Sequence, residues 1–421
     1  MKPYAIPRLL RQIWLPALLL ILCMLSVGAC APDESSPPQP VIQRNVPRIP
    51  KADVPTSAAH TTPHPAATQK EVRVGVLLPL TGDSATLGNA LLDAAMLGLF
   101  DKYNAMPTSQ LPTKVVLLPK DTEGTAKGAA LAAQSALDEG ATLFIGPLFA
   151  EEVKAVSPLA RKAGIAVLSL SNSPDVAGNG VHLFGFLPQQ QVARVVKQAY
   201  AKDLISVGAL VPSNAYGQLV AQALQQVATQ ENHPLVGIEF YPPGAQDVDM
   251  EIQKLLRKGP RGSRPEMDAL LIAEGGDKLS HILNRLEIFG VSNKNTQLLG
   301  TGLWDDPAVL ANPKLAGGWL AGAPLTSSIT FDRRFDSQYH YHAPRLASLA
   351  YDAVALAVTL AVISPNATYS ETLLTKPQGY VGPANGIFRL KANGQSERGL
   401  SVMVITPTGF QELKPAPRAF N

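Results

Sequence analysis

Small hydroxyl, amide and glycine residues recur directly after short apolar runs, a placement that suits holding a ligand rather than cutting one. Thr81-Gly82-Asp83-Ser84 follows the run at 72–78, and Gly146-Pro147-Leu148-Phe149-Ala150 follows 143–145. Ser169-Leu170-Ser171-Asn172-Ser173 closes the run at 165–170. Asn214-Ala215-Tyr216-Gly217 and Ala273-Glu274-Gly275-Gly276 stand in equivalent places later. Hydroxyls and the free N–H groups of a helix start can hold an anion or a carboxylate, and Glu274 offers an acid. Each loop alone is an ordinary strand-to-helix connection. As a set, the candidate cleft residues are Thr81, Ser84, Gly146, Pro147, Ser171, Asn172, Ser173, Tyr216 and Glu274.

Catalytic constellations are missing from the sequence. It contains no Gly-x-Ser-x-Gly elbow, no His-Glu-x-x-His and no Gly-x-x-x-x-Gly-Lys phosphate loop. Gly178 and Gly180 follow no strand of the kind a dinucleotide fingerprint needs. The seven histidines are scattered, and the His340/His342 pair would need distant partners to bind a metal. Asp121 and Glu123 follow a strand, but turn formation and helix N-terminal charge explain them. The expectation is a binding protein, not an enzyme, with no cofactor and no metal.

The elements that must position these loops alternate. Val72, Val74, Val76, Leu77 and Leu78 form a buried strand ended by Pro79, because a short β-branched run is too brief for a helix. An apolar-periodic helix follows at 87–100. The alternation continues with strands at 115–118, 143–145, 165–170 and 181–186, and helices at 126–137 and 151–163. A second series runs through helices at 189–200, 216–229, 248–257 and 279–289, and strands at 205–211, 236–241, 269–272 and 297–299. Strands alternating with helices imply parallel sheets covered on both faces, and this many strands favours two lobes. Residues 346–363 form the most apolar stretch beyond the N-terminus. Because it contains Ser348, Tyr351, Asp352 and Thr359, it reads as a buried core helix and not as a membrane span. Residues 386–390 and 400–406 flank Lys391-Ala392-Asn393-Gly394 and read as a late hairpin.

The formal net charge is +3, but Lys2, Arg8 and Arg11 precede every acidic residue, which leaves the remainder neutral. A neutral body lacks the electrostatic footprint of nucleic-acid binding. Residues 1–29 read as a signal peptide, with a basic start, an apolar stretch at 13–25 and small residues before Cys30. Residues 31–70 carry nine prolines and no apolar period, the composition of a tether. Relaxed, it would span ~35 Å, and stretched as polyproline II ~120 Å.

The end of the signal segment, Leu25-Ser26-Val27-Gly28-Ala29-Cys30, resembles a bacterial lipobox, which implies acylation of Cys30. By resemblance to the enteric sorting rule, Ala31 at the next position favours the outer membrane. The ordered motifs LLPLTG, DTEG, IGPL, LSLSN, FGFLPQQQ, NAYGQ and LIAEGGD resemble the type I periplasmic-binding fold of leucine/isoleucine/valine receptors. Leu148-Phe149, Ser171-Asn172 and Phe186-Leu187-Pro188-Gln189-Gln190 are similar to its lipoprotein branch of penicillin-binding protein activators. The resemblance implies an α/β fold of two lobes, each a parallel sheet flanked by helices, joined by three crossovers. Lobe 1 is expected at about 71–187 and 323–364. Lobe 2 is expected at about 188–322 and 365–421, with the late hairpin in it. The resemblance implies a lipid-anchored periplasmic partner of a bifunctional penicillin-binding protein, that is, of a peptidoglycan synthase. The alternative is a tethered receptor passing an amino acid or similar solute to an ABC transporter. In such receptors Ser171 and Ser173 would hold the ligand carboxylate and Glu274 its ammonium. Ala150-Glu151-Glu152 departs from that pattern, since two acids would face the carboxylate unless they turn away as helix N-terminal charges. A Pro-rich tether, where enteric activators have an N-terminal helical-repeat domain, is a second departure.

Overall fold

The computed structural model describes residues 70–106, 113–257, 267–366 and 369–420. The expectations for the signal segment, for Cys30 and for the tether lie outside these residues. The chain builds two α/β lobes and passes between them three times.

Lobe 1 begins with β1 (Lys70–Leu78), α1 (Ala85–Asn104), β2 (Thr113–Asp121), α2 (Ala126–Asp138), β3 (Ala141–Ile145), α3 (Ala150–Ala163), β4 (Ala166–Ser169) and β5 (Val181–Leu183). Its five strands are all parallel, in the order β2-β1-β3-β4-β5. Such a sheet is covered on both faces, so β1 reads as a continuous apolar run, not an alternating one. Val74, Val76, Leu77 and Leu78 are fully buried. Alanines of α2 (Ala129, Ala133 and Ala136) let that helix sit close on the sheet beside Leu77 and Phe144.

Lobe 2 follows with α4 (Pro188–Tyr200), β6 (Val207–Pro212), α5 (Ala215–Gln230), β7 (Leu235–Tyr241), α6 (Asp249–Arg257), β8 (Ala269–Ile272), α7 (Gly276–Ile288), β9 (Gln297–Gly300), α8 (Pro307–Leu310) and β10 (Trp319–Gly322). The chain then returns to lobe 1 for α9 (Leu325–Tyr339), α10 (Ala347–Ile363), α11 (Glu371–Leu374), β11 (Tyr380–Gly382), β12 (Gly386–Leu390) and β13 (Ser396–Arg398). It ends in lobe 2 with β14 (Ser401–Thr406) and β15 (Gly409–Lys414). The lobe 2 sheet is β15-β14-β10-β9-β8-β6-β7. It is mixed, because β14 pairs antiparallel with both β10 and β15.

The apolar stretch is α10, the central helix of lobe 1. It packs along α1 and places Leu349, Val354, Val358 and Leu360 in the core that holds β1. Each such side chain contributes about 1.5–3 kcal/mol when withdrawn from water. Among the described residues, no helix is long and apolar enough to cross a membrane.

Two expectations need correction. Residues after 364 were expected in lobe 2, but Tyr369, Leu374, Phe388 and Leu390 join the α10 core of lobe 1. The boundary therefore falls near Gly399, because the apolar side chains of this segment find their partners on α10. The late hairpin is also differently paired. β12 bonds to β11 and β13 in a small antiparallel sheet, while 401–406 crosses to the other lobe.

Candidate functional site

The loop after β1 is organised by Asp121, at the end of the neighbouring strand. Its Oδ1 accepts the N–H groups of Leu80 (2.9 Å), Thr81 (3.2 Å) and Glu123 (2.8 Å). Its Oδ2 accepts the Thr81 hydroxyl at 2.6 Å. Partial burial pushes this carboxyl up, but the Thr81 hydroxyl and the backbone N–H groups outweigh it and hold it below the usual carboxylate range. Asp121 is thus a loop anchor, as its turn position suggests. Ser84 stands half-buried at the start of α1, and its side chain makes no capping bond.

The loops after β3 and β4 are stitched together. Gly146 has φ +89°, and a Cβ on it would lie 2.1 Å from the Leu77 carbonyl oxygen, so only glycine fits. The Pro147 carbonyl accepts the Leu170 N–H at 3.0 Å and the Ser169 hydroxyl at 3.3 Å. Ser169 Oγ in turn accepts the Ser171 N–H (3.1 Å), and Ser171 Oγ accepts the Ser173 N–H (3.2 Å). Ser171 is buried, Ser173 half-buried and Asn172 exposed.

Glu151 and Glu152 do turn away. Glu152 is buried and reaches back from the first turn of α3 to the Phe149 N–H at 2.9 Å, while its other oxygen accepts the Thr122 hydroxyl at 2.5 Å. Burial raises its carboxyl above the usual value, against those hydrogen bonds. Glu151 faces solvent and pairs with Lys154 at 2.6 Å. The departure at this loop is therefore a helix-start device, and it aims neither acid at a ligand.

In lobe 2, Asn214 caps α5 by accepting the Gly217 N–H at 2.9 Å. This orients Tyr216, whose hydroxyl donates to Thr301 Oγ1 at 2.7 Å. Glu274, after β8, accepts the Tyr241 hydroxyl at 2.6 Å and the Gly275 N–H at 3.1 Å. Burial raises the Tyr241 phenol, and the Glu274 carboxylate raises it further. The structure therefore joins the Gly146-Pro147 and Ser171–Ser173 loops to each other, and it engages Thr81, Ser171, Tyr216 and Glu274 with protein partners.

A different set of residues lines a cavity of about 560 Å³ between the lobes. None of the nine cleft candidates named from the sequence lies on its wall. Lobe 2 contributes the segment 302–310 with Leu320 and Met403, and lobe 1 contributes α9, Arg345, Ser348 and Asn385. Phe186, at the first crossing, also lines it. Arg345 stacks on Phe186 with its guanidinium 4.9 Å from the ring centre. Gly302 has no side chain to push it away, since a Cβ there would lie 3.0 Å from an Arg345 nitrogen. Burial lowers the Arg345 value below that of an ordinary arginine, opposed by the charges of Asp305 and Tyr216.

Behind this wall lies a buried network. Asp352 is fully buried and accepts from the Ala384 N–H (2.9 Å), the Asn385 N–H (3.0 Å) and Asn385 Nδ2 (2.9 Å). Burial pushes its carboxyl up to about 6, against those bonds and the Arg398 charge. Arg398, at the third crossing, lies against the rings of Phe184, Phe186 and Phe388. Among the described residues, no group of three or more histidine, cysteine or acidic side chains is gathered to hold a metal.

A family model described as periplasmic binding protein matches residues 71–409. The chain belongs to the periplasmic binding protein family. Among solved structures, a branched-chain amino acid ABC transporter periplasmic ligand-binding protein from Burkholderia xenovorans has a TM-score of 0.69 at 17% identity. That match covers 82% of this chain and 96% of the other. A putative branched-chain amino acid ABC transporter from Rhodospirillum rubrum gives 0.70 at 21% identity, covering 82% of this chain and all of that one. At these identities the likeness concerns the fold. By sequence, an uncharacterized protein of Rickettsia prowazekii is 25% identical over 190 residues, 44% of this chain and 48% of its own. The penicillin-binding protein activator LpoA of Vibrio cholerae is 22% identical over 260 residues, 54% of this chain and 42% of its own. The chain thus spans about half the length of the curated relatives it matches. The two-lobed α/β fold of this periplasmic family is the one its ordered motifs imply.

Proposed function

We propose that this chain is a non-catalytic, lipid-anchored envelope protein that binds and activates a bifunctional penicillin-binding protein. The observation that carries the reading is the self-engagement of the cleft. Thr81 is held by Asp121, Ser171 by Ser173, Tyr216 by Thr301 and Glu274 by Tyr241. Thr81 and Tyr216 have committed their hydroxyl protons to these partners, so a ligand carboxylate could take them only by displacing Asp121 and Thr301. The likeness to LpoA supports a protein partner. Cys30 supplies the lipid anchor, Ala31 directs it to the outer membrane, and residues 31–70 supply the tether. The test is to titrate the full lipidated chain against purified bifunctional synthases from the source cell, measuring complex formation and the rates of glycan polymerisation and cross-linking. A saturable complex that accelerates either reaction supports the proposal. The absence of both a complex and a rate gain removes it.

The second reading is a tethered solute receptor, favoured by the interlobe cavity and by the solute-binding proteins of like fold. It requires the lobes to close on a ligand. Compaction in small-angle scattering with one amino acid or aromatic acid, and no synthase complex, would establish it instead.

A further inference from the structure

The FGFLPQQQ motif carries two side chains that reach from α4 of lobe 2 across the connections. Gln190 and Arg194 lie four residues apart and so share one face of α4. The Gln190 amide donates through Nε2 to the Ser396 carbonyl, and its Oε1 accepts the Arg398 N–H at 2.9 Å. It thus meets the free edge of β13 in lobe 1 much as a neighbouring strand would, with a donor and an acceptor at backbone positions two residues apart. Arg194 donates through Nε to the Leu400 carbonyl at 2.8 Å and through a terminal nitrogen to the Pro415 carbonyl at 2.8 Å. Its guanidinium is a rigid planar fork, so the two carbonyls are held at a set spacing. Arg398 joins the first and third crossings directly, by donating to the Phe184 carbonyl at 2.5 Å.

The residues after β15 add a further route between the lobes. Leaving lobe 2, the Ala416 N–H donates to Ser401 Oγ at 3.1 Å. The Pro417 carbonyl then passes Gly399, where an added Cβ would lie 3.3 Å from it. Phe420 ends on lobe 1, its ring centre 4.8 Å from the Arg389 guanidinium of β12. Arg389 is itself held by Glu397 of β13, at 3.0 Å from Nε and 2.9 Å from a terminal nitrogen. Residues 415–420 therefore lie as a strap over the third crossing.

A change of lobe angle needs a few residues of the crossings to change their backbone angles. It also moves α4 past β13 and draws the strap off β12. We propose that Gln190, Arg194 and the 415–420 strap form a clamp that holds the two lobes at one fixed angle, making the body a single rigid unit. The clamp is built from the connections and not from the cavity walls, and it goes beyond the proposed function, since it acts whether or not a synthase binds.

The test uses the full chain with Cys23→Ser and Cys30→Ser, so that spin labels attach only at introduced cysteines. One pair is Leu131→Cys on α2 with Met250→Cys on α6, and the other is Phe100→Cys on α1 with Ile288→Cys on α7. All four positions are exposed, and each pair spans the two lobes. Pulsed dipolar EPR of the parent should give one narrow distance for each pair. Each hydrogen bond removed is worth about 2- to 12-fold in an equilibrium. Gln190→Ala, Arg194→Ala and Phe420→Ala together remove four, so the share of other lobe angles should rise about 20-fold or more, and the distances should broaden or split. Lys197→Ala, which breaks only the α4 ion pair with Glu231, should leave them narrow. A cooperative melt shows that the triple variant folds. Should it not fold, Gln190→Ala with Phe420→Ala is read in the same way. Broad or split distances in the parent, unchanged distances in the folded clamp variant, or equal broadening by Lys197→Ala would each overturn the inference.

Discussion

Replacing Asp352 by asparagine should destabilise the body in a pH-dependent way whose sign follows from the structure. The side chain accepts three hydrogen bonds, from the Ala384 N–H, the Asn385 N–H and Asn385 Nδ2. An asparagine keeps one accepting oxygen and turns an amide NH2 toward a donor. It also removes the negative charge that faces Arg398. Hydrogen bonds to a charged group are worth ~1.5–3 kcal/mol each, but the neutral amide also escapes the burial penalty that holds this carboxyl up, so a net loss of about 1–2 kcal/mol is expected at pH 8. The folded carboxyl titrates at about 6, against a reference value of 3.8. Folding therefore takes up a proton between those values, and the parent loses stability as pH rises through that window. Moving from pH 8 to pH 5 should give the parent about 1.4 kcal/mol from this group alone, a gain that Asp352→Asn cannot have. Urea unfolding of both chains at the two pH values measures the difference directly. The gap between variant and parent should be wider at pH 5. An equal or narrower gap at pH 5 would refute the assignment of a raised carboxylate to this site.

Further outcomes follow from single contacts. Glu152→Ala removes the bond to the Phe149 N–H and the acceptor of Thr122, and should lower stability by about 1–3 kcal/mol in urea. Gly146→Ala meets both a positive φ and the Leu77 carbonyl. It should cost more than about 3 kcal/mol, seen as a collapse of soluble yield or melting temperature. Tyr216→Phe deletes only the bond to Thr301 and should cost about 0.5–1.5 kcal/mol. It should leave synthase stimulation intact, and a stimulation lost without unfolding would count against the proposed role.

What could be read from the chain depended on how much apolar surface each element buries. β1, the α2 alanines and α10 were plain, because each fills a core and its pattern follows. α9 was not. Its run LTSSITFDRRFDSQY buries only Phe331 and Phe335, so no apolar stripe marks it. β13 is three residues, Ser-Glu-Arg, and the apolar run at 400–406 masked it as the hairpin partner of β12. The lobe of residues 365–398 was illegible for another reason. Their apolar side chains would suit either core, and only the packing on α10 decides. The strand-end loops were found where expected, but their mutual hydrogen bonds are a matter of geometry, not of spacing. Asp305, Asp332 and Arg345 come from separate stretches, before and after the second crossing, so no local motif could have united them.

The triple crossing also has a consequence for the order in which the protein can be made. β1 is among the first described elements to leave the ribosome, yet the helix that buries one of its faces, α10, begins about 270 residues later. At ~5–20 residues per second, synthesis leaves that face uncovered for roughly 15–50 s. Lobe 2 lacks β14 until later still. Neither half can close while the chain is growing, so a nascent chain that stalls before residue 390 would expose Val74, Val76 and Leu78 to whatever holdase or protease is at hand.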